Sequence, residues 1–196
     1  MAGLLDGIRV VEWTSWIFGP FAGMMLADLG ADVIKIEDPN GGDIARGVRW
    51  MMGLVDCAMP GGRNALVEAC NRNKRSISLN LKHELGRAVL FRLLENADVF
   101  LHNYRAGAPE KLGIGYEDLS ARFPRLIYAA ASGYGTRGPD AQRPALDYVG
   151  QARSGLMWGG GQPGDPPNYN TTAPADTIGA IMLAFAISSA LFARER

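Results

Sequence analysis

Two strand patterns separated by one short helix open the chain, and that spacing leaves few architectures available. Ile8-Arg9-Val10-Val11-Glu12-Trp13 reads as a strand, and Gly19-Pro20 then interrupts the chain. Pro20 suits the first turn of a helix predicted to run to about Leu29, with Gly30 as its stop. Asp32-Val33-Ile34-Lys35-Ile36-Glu37 is a second strand, closed by Pro39-Asn40-Gly41-Gly42. Strand, helix and strand packed this tightly mark a βαβ unit with parallel strands.

The alternation continues after an interruption. Residues 42–71, entered through Gly41-Gly42, hold the pair Gly61-Gly62, Pro60 and three methionines, and read as a long excursion with one short helix. Ser76-Ile77-Ser78-Leu79-Asn80-Leu81 alternates with a period of two, as a strand does. Glu84 to Asn96 is an amphipathic helix with Leu85, Val89, Leu90, Leu93 and Leu94 on one face. Strands follow at Asp98–Leu101 and Arg125–Ala130, with short helical patterns at Ala108–Leu112 and Tyr116–Phe123 between them. Beyond Ser132 a glycine- and proline-rich loop leads to a helix at Tyr148–Leu156, a loop at Gly159-Gly160-Gly161, and a last helix from Asp176. The expected fold is α/β: a Rossmann-like, doubly wound, mostly parallel sheet, with ligand loops at the strands' carboxyl ends.

The bulk numbers exclude several classes. Lys+Arg and Asp+Glu both total 20, and this zero net charge argues against a nucleic-acid binder. Cys57 and Cys70 lack zinc spacing and make a thin disulfide framework, so a reduced, cytoplasmic setting is expected, with no bound metal. The first nine residues include Asp6 and no long apolar run, unlike a signal peptide. Thr177 to Ala193 carry no charge, but alanines, Gly179, Ser188 and Ser189 dilute the run. A core or dimer helix is expected there in preference to a membrane span.

Few side chains offer chemistry. Neither His83 nor His102 has a partner at metal or triad spacing, and His83 sits where a helix cap is expected. No GxGxxG follows the first strand and no P-loop is present, so neither a nicotinamide nor a P-loop nucleotide mode is expected. Arg72, Lys74, Arg75, Lys82, Arg105 and Lys111 form a cationic group able to neutralise the phosphates of a nucleotide-like ligand, or simply a solvated patch. Asp176 stands ahead of the apolar helix in an N-cap setting. There it serves as a cap, or as an ionised carboxylate able to attack a thioester carbonyl.

Taken in order, several of these segments resemble the family III CoA-transferases. The carriers are Leu5-Asp6-Gly7-Ile8-Arg9-Val10-Val11-Glu12, Gly19-Pro20, Leu26 to Glu37, Gly42-Asp43 with Arg46, and Asn73-Lys74-Arg75-Ser76-Ile77. Ala97-Asp98-Val99-Phe100, Asn103-Tyr104, Ser132-Gly133-Tyr134-Gly135, Gln151-Ala152, Ser154-Gly155 and Asp176 complete the set. The resemblance implies that residues 1–196 correspond to the larger, N-terminal domain without the second domain, since family members are roughly twice as long. It implies transfer of CoA from an acyl-CoA to a carboxylic acid, with the CoA thioester as substrate and no separate cofactor. Asp176 would form an acyl anhydride and then an aspartyl-CoA thioester. CoA contacts would fall on Ile17, Phe18, Leu79, Asn80, Leu81, Lys82, Asn103, Tyr104, Arg105 and Lys111, with Asp147 a possible active-site acid or a surface helix-start carboxylate.

The resemblance also implies a homodimer, or pairing with a complementary subunit. Formyl-CoA-type members carry a glutamine and an arginine where this chain has Ile17 and Asp38, which argues against formyl or oxalyl substrates. Two alternatives accompany this reading. An α-methylacyl-CoA racemase would need a second acid/base, yet Leu146 stands where such enzymes place histidine. A non-catalytic truncated or split CoA-binding subunit would leave an apolar face of the last helix exposed.

Overall fold

In the computed structural model, which describes residues 3–51 and 53–196, five strands form one parallel sheet. They are β1 (Arg9–Trp13), β2 (Asp32–Glu37), β7 (Arg75–Ser78), β8 (Val99–His102) and β9 (Ile127–Ala130). Their spatial order is β7-β2-β1-β8-β9. The chain therefore builds outward from β1 in one direction, then jumps back to β8 on its other side. That reversal defines a switch point, and ligands of such sheets bind in the crevice beyond the strand ends there.

Alternation along each strand explains the two covered faces. Val10, Val33, Val99 and Leu101 point to one face, against Ala22 and Leu26 of α1 (Phe18–Asp28) and Ala180, Ala184, Ile187 and Leu191 of α8 (Pro174–Arg194). Val11, Ile36 and Phe100 point the other way, against Leu90 and Leu94 of α3 (Glu84–Leu94) and Leu119 of α5 (Tyr116–Arg122). The expected doubly wound α/β fold is thus present, with β7 ending at Ser78, three residues earlier than its alternation suggested. Leu79 to Lys82 instead turn into α3, and Leu85 of that helix faces solvent. His83 caps α3 as expected, its Nδ1 accepting from Leu85 N at 3.2 Å.

The excursion contains more than one helix. Two short hairpins, β3 (Trp50–Met51) with β4 (Val55–Asp56) and β5 (Ala58–Met59) with β6 (Arg63–Asn64), precede α2 (Ala65–Asn71). Two-residue strands are too short to show a period. Asn64 caps α2 by accepting from Leu66 N at 2.9 Å. Ile17, Ala45, Leu66, Ala173 and both cysteines, which are free, form a third small core beneath these turns.

Three α-helices remain among the described residues, after the short α4 (Ala108–Lys111) that follows β8. The helix expected at Tyr148–Leu156 is broken by Gly155 at φ 82° into α6 (Asp147–Ser154) and α7 (Leu156–Gly159). Helix α8 is long and apolar enough to cross a membrane by length and composition alone. Only one of its faces is packed; Ile178, Ile181, Met182, Phe185 and Phe192 are exposed. The expectation of a core helix therefore holds for half its circumference, and the exposed remainder forms a contiguous apolar stripe.

Candidate active site

Helix α8 starts at Pro174, and Ala173, at φ 52°, is its cap residue. Asp176 is consequently the third residue of the helix, not its N-cap. The expected capping role falls to a different carboxylate: Asp147 Oδ1 accepts from Asp176 N at 3.0 Å. Asp147 is buried at the start of α6, which overturns its reading as a surface carboxylate. Its other oxygen accepts from Gln151 Nε2, one helical turn on. Gln151 also donates to Asn170 O at 2.8 Å and accepts from Asn170 N at 3.0 Å. The buried pair Asp147–Gln151 therefore ties α6 to both the loop before α8 and the first turn of α8. Gln151 was visible in the sequence only as part of the family pattern; its spacing of four from Asp147 was the usable signal.

Electrostatics set Asp176 apart. Burial, followed by the charge of Asp147, pushes its carboxyl up to about 6. A proximal helix N-terminus favours the ionised form, but here a second carboxylate and poor solvation outweigh it. The group is still mainly ionised at neutral pH, and more basic than an ordinary aspartate.

Asp176 opens onto a cleft of about 440 Å³ that also meets Phe18, Ser132, Tyr134, Asp147 and Gly179. A second cleft of about 470 Å³, lined by Ser15, Trp16, Asn103, Tyr104 and Arg105, shares Ser132, Gly133, Ala145 and Leu146 with the first. Together they run beyond the carboxyl ends of β1, β8 and β9, at the switch point. A larger hollow of about 680 Å³ lies beside Gln151 and the Gly159–Gly160 loop, and no charged side chain lines it among the described residues.

The expected CoA residues divide into two groups. Phe18, Asn103, Tyr104 and Arg105 come together around the joined clefts, and Ile17 lines a small cavity next to Asp176. Asn103 does so indirectly: its amide spans the backbone of Ser15, accepting from N at 2.9 Å and donating to O at 2.7 Å. Tyr104 stacks on Trp13 at 3.8 Å between ring centroids. Leu79 to Lys82 lie two strands away at the end of β7, and neither they nor Lys111 line these clefts. Leu81 is a core residue, and Asn80 is spent in a turn, accepting from Lys82 N at 3.0 Å.

The cationic group also divides. Arg72 pairs with Asp28 and Arg75 with Asp32, while Lys74 is buried against Glu12 at 2.8 Å. Arg75, with Arg9 and Asp32, sits at the strand starts, at the opposite end of the sheet from the clefts. Of the six cations in that group, Lys82, Arg105 and Lys111 are exposed and make no ion pair with the described residues.

His102, at the end of β8, is buried among Phe100, Tyr128 and Trp13, and neither ring nitrogen has a hydrogen-bond partner among the described residues. Burial pushes its imidazole down to about 4. The neutral ring therefore contributes stability above the ordinary histidine range that is lost as pH falls through about 4. Its Cε1–H resonance is expected to stay constant from pH 8 to 5; a midpoint near 6.5 would contradict this packing.

A doubly wound α/β domain with a half-buried aspartate at the rim of its switch-point cleft has the layout of a ligand-binding α/β domain. The family-level match is more specific: the model for CoA-transferase family III covers residues 5–196. The chain belongs to that family. It is 41% identical over 195 residues to an acetyl-CoA:oxalate CoA-transferase of Acetobacter aceti, covering 99% of this chain and 48% of the relative. A succinate–glutarate CoA-transferase of Agrobacterium fabrum is 42% identical over 190 residues, covering 95% and 46%. A crystal structure of a CaiB/BaiF family protein from Brucella suis superposes with a TM-score of 0.90 at 40% identity, covering 100% of this chain and 51% of that one. The chain spans about half the length of the curated relatives it matches.

Proposed function

We propose that the protein moves CoA from an acyl-CoA to a carboxylic acid, with Asp176 as the group that is acylated. A carboxylate oxygen of Asp176 attacks the thioester carbonyl, the C–S bond breaks, and CoA leaves as thiolate, giving a mixed anhydride. The thiolate returns to the aspartyl carbonyl, expelling the donor acid as its carboxylate and leaving an aspartyl-CoA thioester. The acceptor carboxylate then attacks that carbonyl and releases thiolate, which takes the new acyl group and frees Asp176. Each step is an acyl transfer between good leaving groups, which is what a carboxylate nucleophile achieves.

The observation that carries this reading is the raised but still titratable Asp176 carboxyl at the mouth of the switch-point cleft. Arg105 in the adjoining cleft, with Lys82 and Lys111 farther out, would meet the phosphates of CoA. Racemisation is supported less well, because Leu146 offers no proton beside Asp147, His102 is enclosed by aromatic rings, and both Asp147 oxygens are already engaged by Gln151 and the Asp176 N–H. The exposed face of α8 supports an assembly with a second copy or a complementary subunit.

Hydroxylamine added to a mixture of the chain and an acyl-CoA tests the chemistry. A hydroxamate at Asp176, located by peptide mass spectrometry, is the expected result. Modification of another carboxylate, or none with a series of acyl-CoAs, would favour the non-catalytic alternative.

A further inference from the structure

Beside Asp176 lies a separate small cavity of about 120 Å³. Trp16, Ile17, Met51 and Leu66 form part of its wall, and Leu146, Tyr148, Tyr169 and Ala173 most of the rest. A cavity of about 150 Å³ lined by apolar groups accommodates benzene, so this one has room for about four or five carbons.

Its wall is built, not incidental. Trp16 adopts φ 69°, a region that a bulky side chain enters only under constraint. Asp43 Oδ1 supplies that constraint, accepting from Trp16 N and from Ser15 Oγ, each at 3.1 Å, while Asn103 holds Ser15 from the other side. Burial, then the charges of Asp147 and Asp176, raise the Tyr169 phenol above its ordinary range, so that wall stays uncharged.

We infer that this cavity receives the acyl chain of the thioester and selects a short monocarboxylic acid with an apolar tail over a dicarboxylic acid. The inference rests on the CoA-transfer reading above. A second carboxylate entering the cavity would lose its hydration and find no Lys or Arg in the lining among the described residues. The charged groups it would meet, Asp147 and Asp176, repel it. Arg143 and Arg153, in the neighbouring clefts, are both engaged by Asp140, at 3.1 and 3.4 Å. The dicarboxylates in the names of the Acetobacter and Agrobacterium relatives would therefore be poorly received.

Affinity of the full chain for CoA and for ketone analogues of butyryl-CoA and succinyl-CoA tests this, by calorimetry at pH 7. In these analogues a methylene between carbonyl and sulfur prevents loss of thiolate. The butyryl analogue is expected to bind at least about tenfold more tightly than the succinyl analogue, a difference of about 1.4 kcal/mol, and more tightly than CoA itself. Equal affinities, a preference for the succinyl analogue, or no binding would overturn the assignment. Leu146→Arg places a cation at the exposed rim and Met51→Arg one on the opposite wall; either is expected to narrow or invert the ratio. Hydroxylamine trapping with the true thioesters separates the two proposals. A butyryl preference without any hydroxamate removes the covalent chemistry and leaves the cavity assignment. Hydroxamate formed equally from butyryl- and succinyl-CoA removes the cavity assignment and leaves the chemistry.

Discussion

Asp176→Asn is expected to lower acyl capture from an acyl-CoA by at least about 10⁴-fold, the scale on which loss of a covalent nucleophile acts. Affinity for CoA should change by less than about threefold. The substitution is nearly isosteric, and the bond from residue 176 to Asp147 uses the backbone N–H, so the start of α8 is retained. What is lost is an anionic oxygen able to form the anhydride. The same change should raise thermal stability at pH 7. A carboxyl whose folded pKa is raised contributes stability below the ordinary carboxylate value, and loses it as pH rises through about 6. At neutral pH the ionised group is therefore a net burden that asparagine removes, a common bargain at active sites. A companion measurement locates the cause. In the unmodified chain, single-turnover hydroxamate formation should rise with pH through a midpoint near 6, as Asp176 ionises. Asp147→Asn removes the second cause of the shift but leaves burial, so the midpoint should fall without reaching the ordinary carboxylate range. A midpoint unmoved by Asp147→Asn would mean that the two carboxylates are not coupled.

Features that depend on nearby residues were legible in the sequence. The opening βαβ unit could be placed within a residue or two because the short β-branched runs Val10-Val11 and Val33-Ile34, with Ile36, suit strands buried on both faces, and Gly30 ends the helix between them. Asp176 could be singled out because a carboxylate ahead of a long apolar helix is conspicuous. Its exact place in the helix was misread because Pro174, at the first helical position, sets the start two residues earlier. Features that depend on distant partners were opaque. Asp147 is buried only because α6 packs beside α8, and its contact to Asp176 spans 29 positions. The cations Arg72, Lys74 and Arg75 looked available for phosphates because their partners Asp28, Glu12 and Asp32 are 44, 62 and 43 residues away. A local cluster of charge on a sequence is a statement about one strand of a network; the other strand arrives through the fold.

Lys35→Met is expected to destabilise the protein by about 3–5 kcal/mol, the usual consequence of removing one partner from a buried ion pair. Lys35 lies in the inner strand β2 and is almost completely buried. Its Nζ meets Asp43 Oδ2 at 2.8 Å, Thr14 O at 3.1 Å and Glu12 Oε1 at 3.6 Å. Lys74 Nζ completes the group, meeting Glu12 Oε1 at 2.8 Å and Pro20 O at 2.7 Å. Two cations and two carboxylates thus balance inside the fold, and methionine in place of Lys35 leaves two buried anions with one cation. Although burial works against its charge, Lys35 and the surrounding donors hold the Asp43 carboxyl below its ordinary value. That contribution is present above the ordinary carboxylate range and lost as pH falls through the depressed value. The double variant Lys35→Met with Asp43→Asn should lose less than the sum of the singles, since it removes one charge of each sign; the coupling expected for contacting groups is about 0.5–3 kcal/mol. Urea unfolding midpoints read both quantities. The consequence reaches the clefts, because Asp43 also holds Trp16 in its constrained conformation. Lys35→Met should therefore weaken any preference for an apolar acyl chain even at temperatures where the protein stays folded. A loss below about 1 kcal/mol, the scale of an exposed pair, would show that these four charges are not the closed group described.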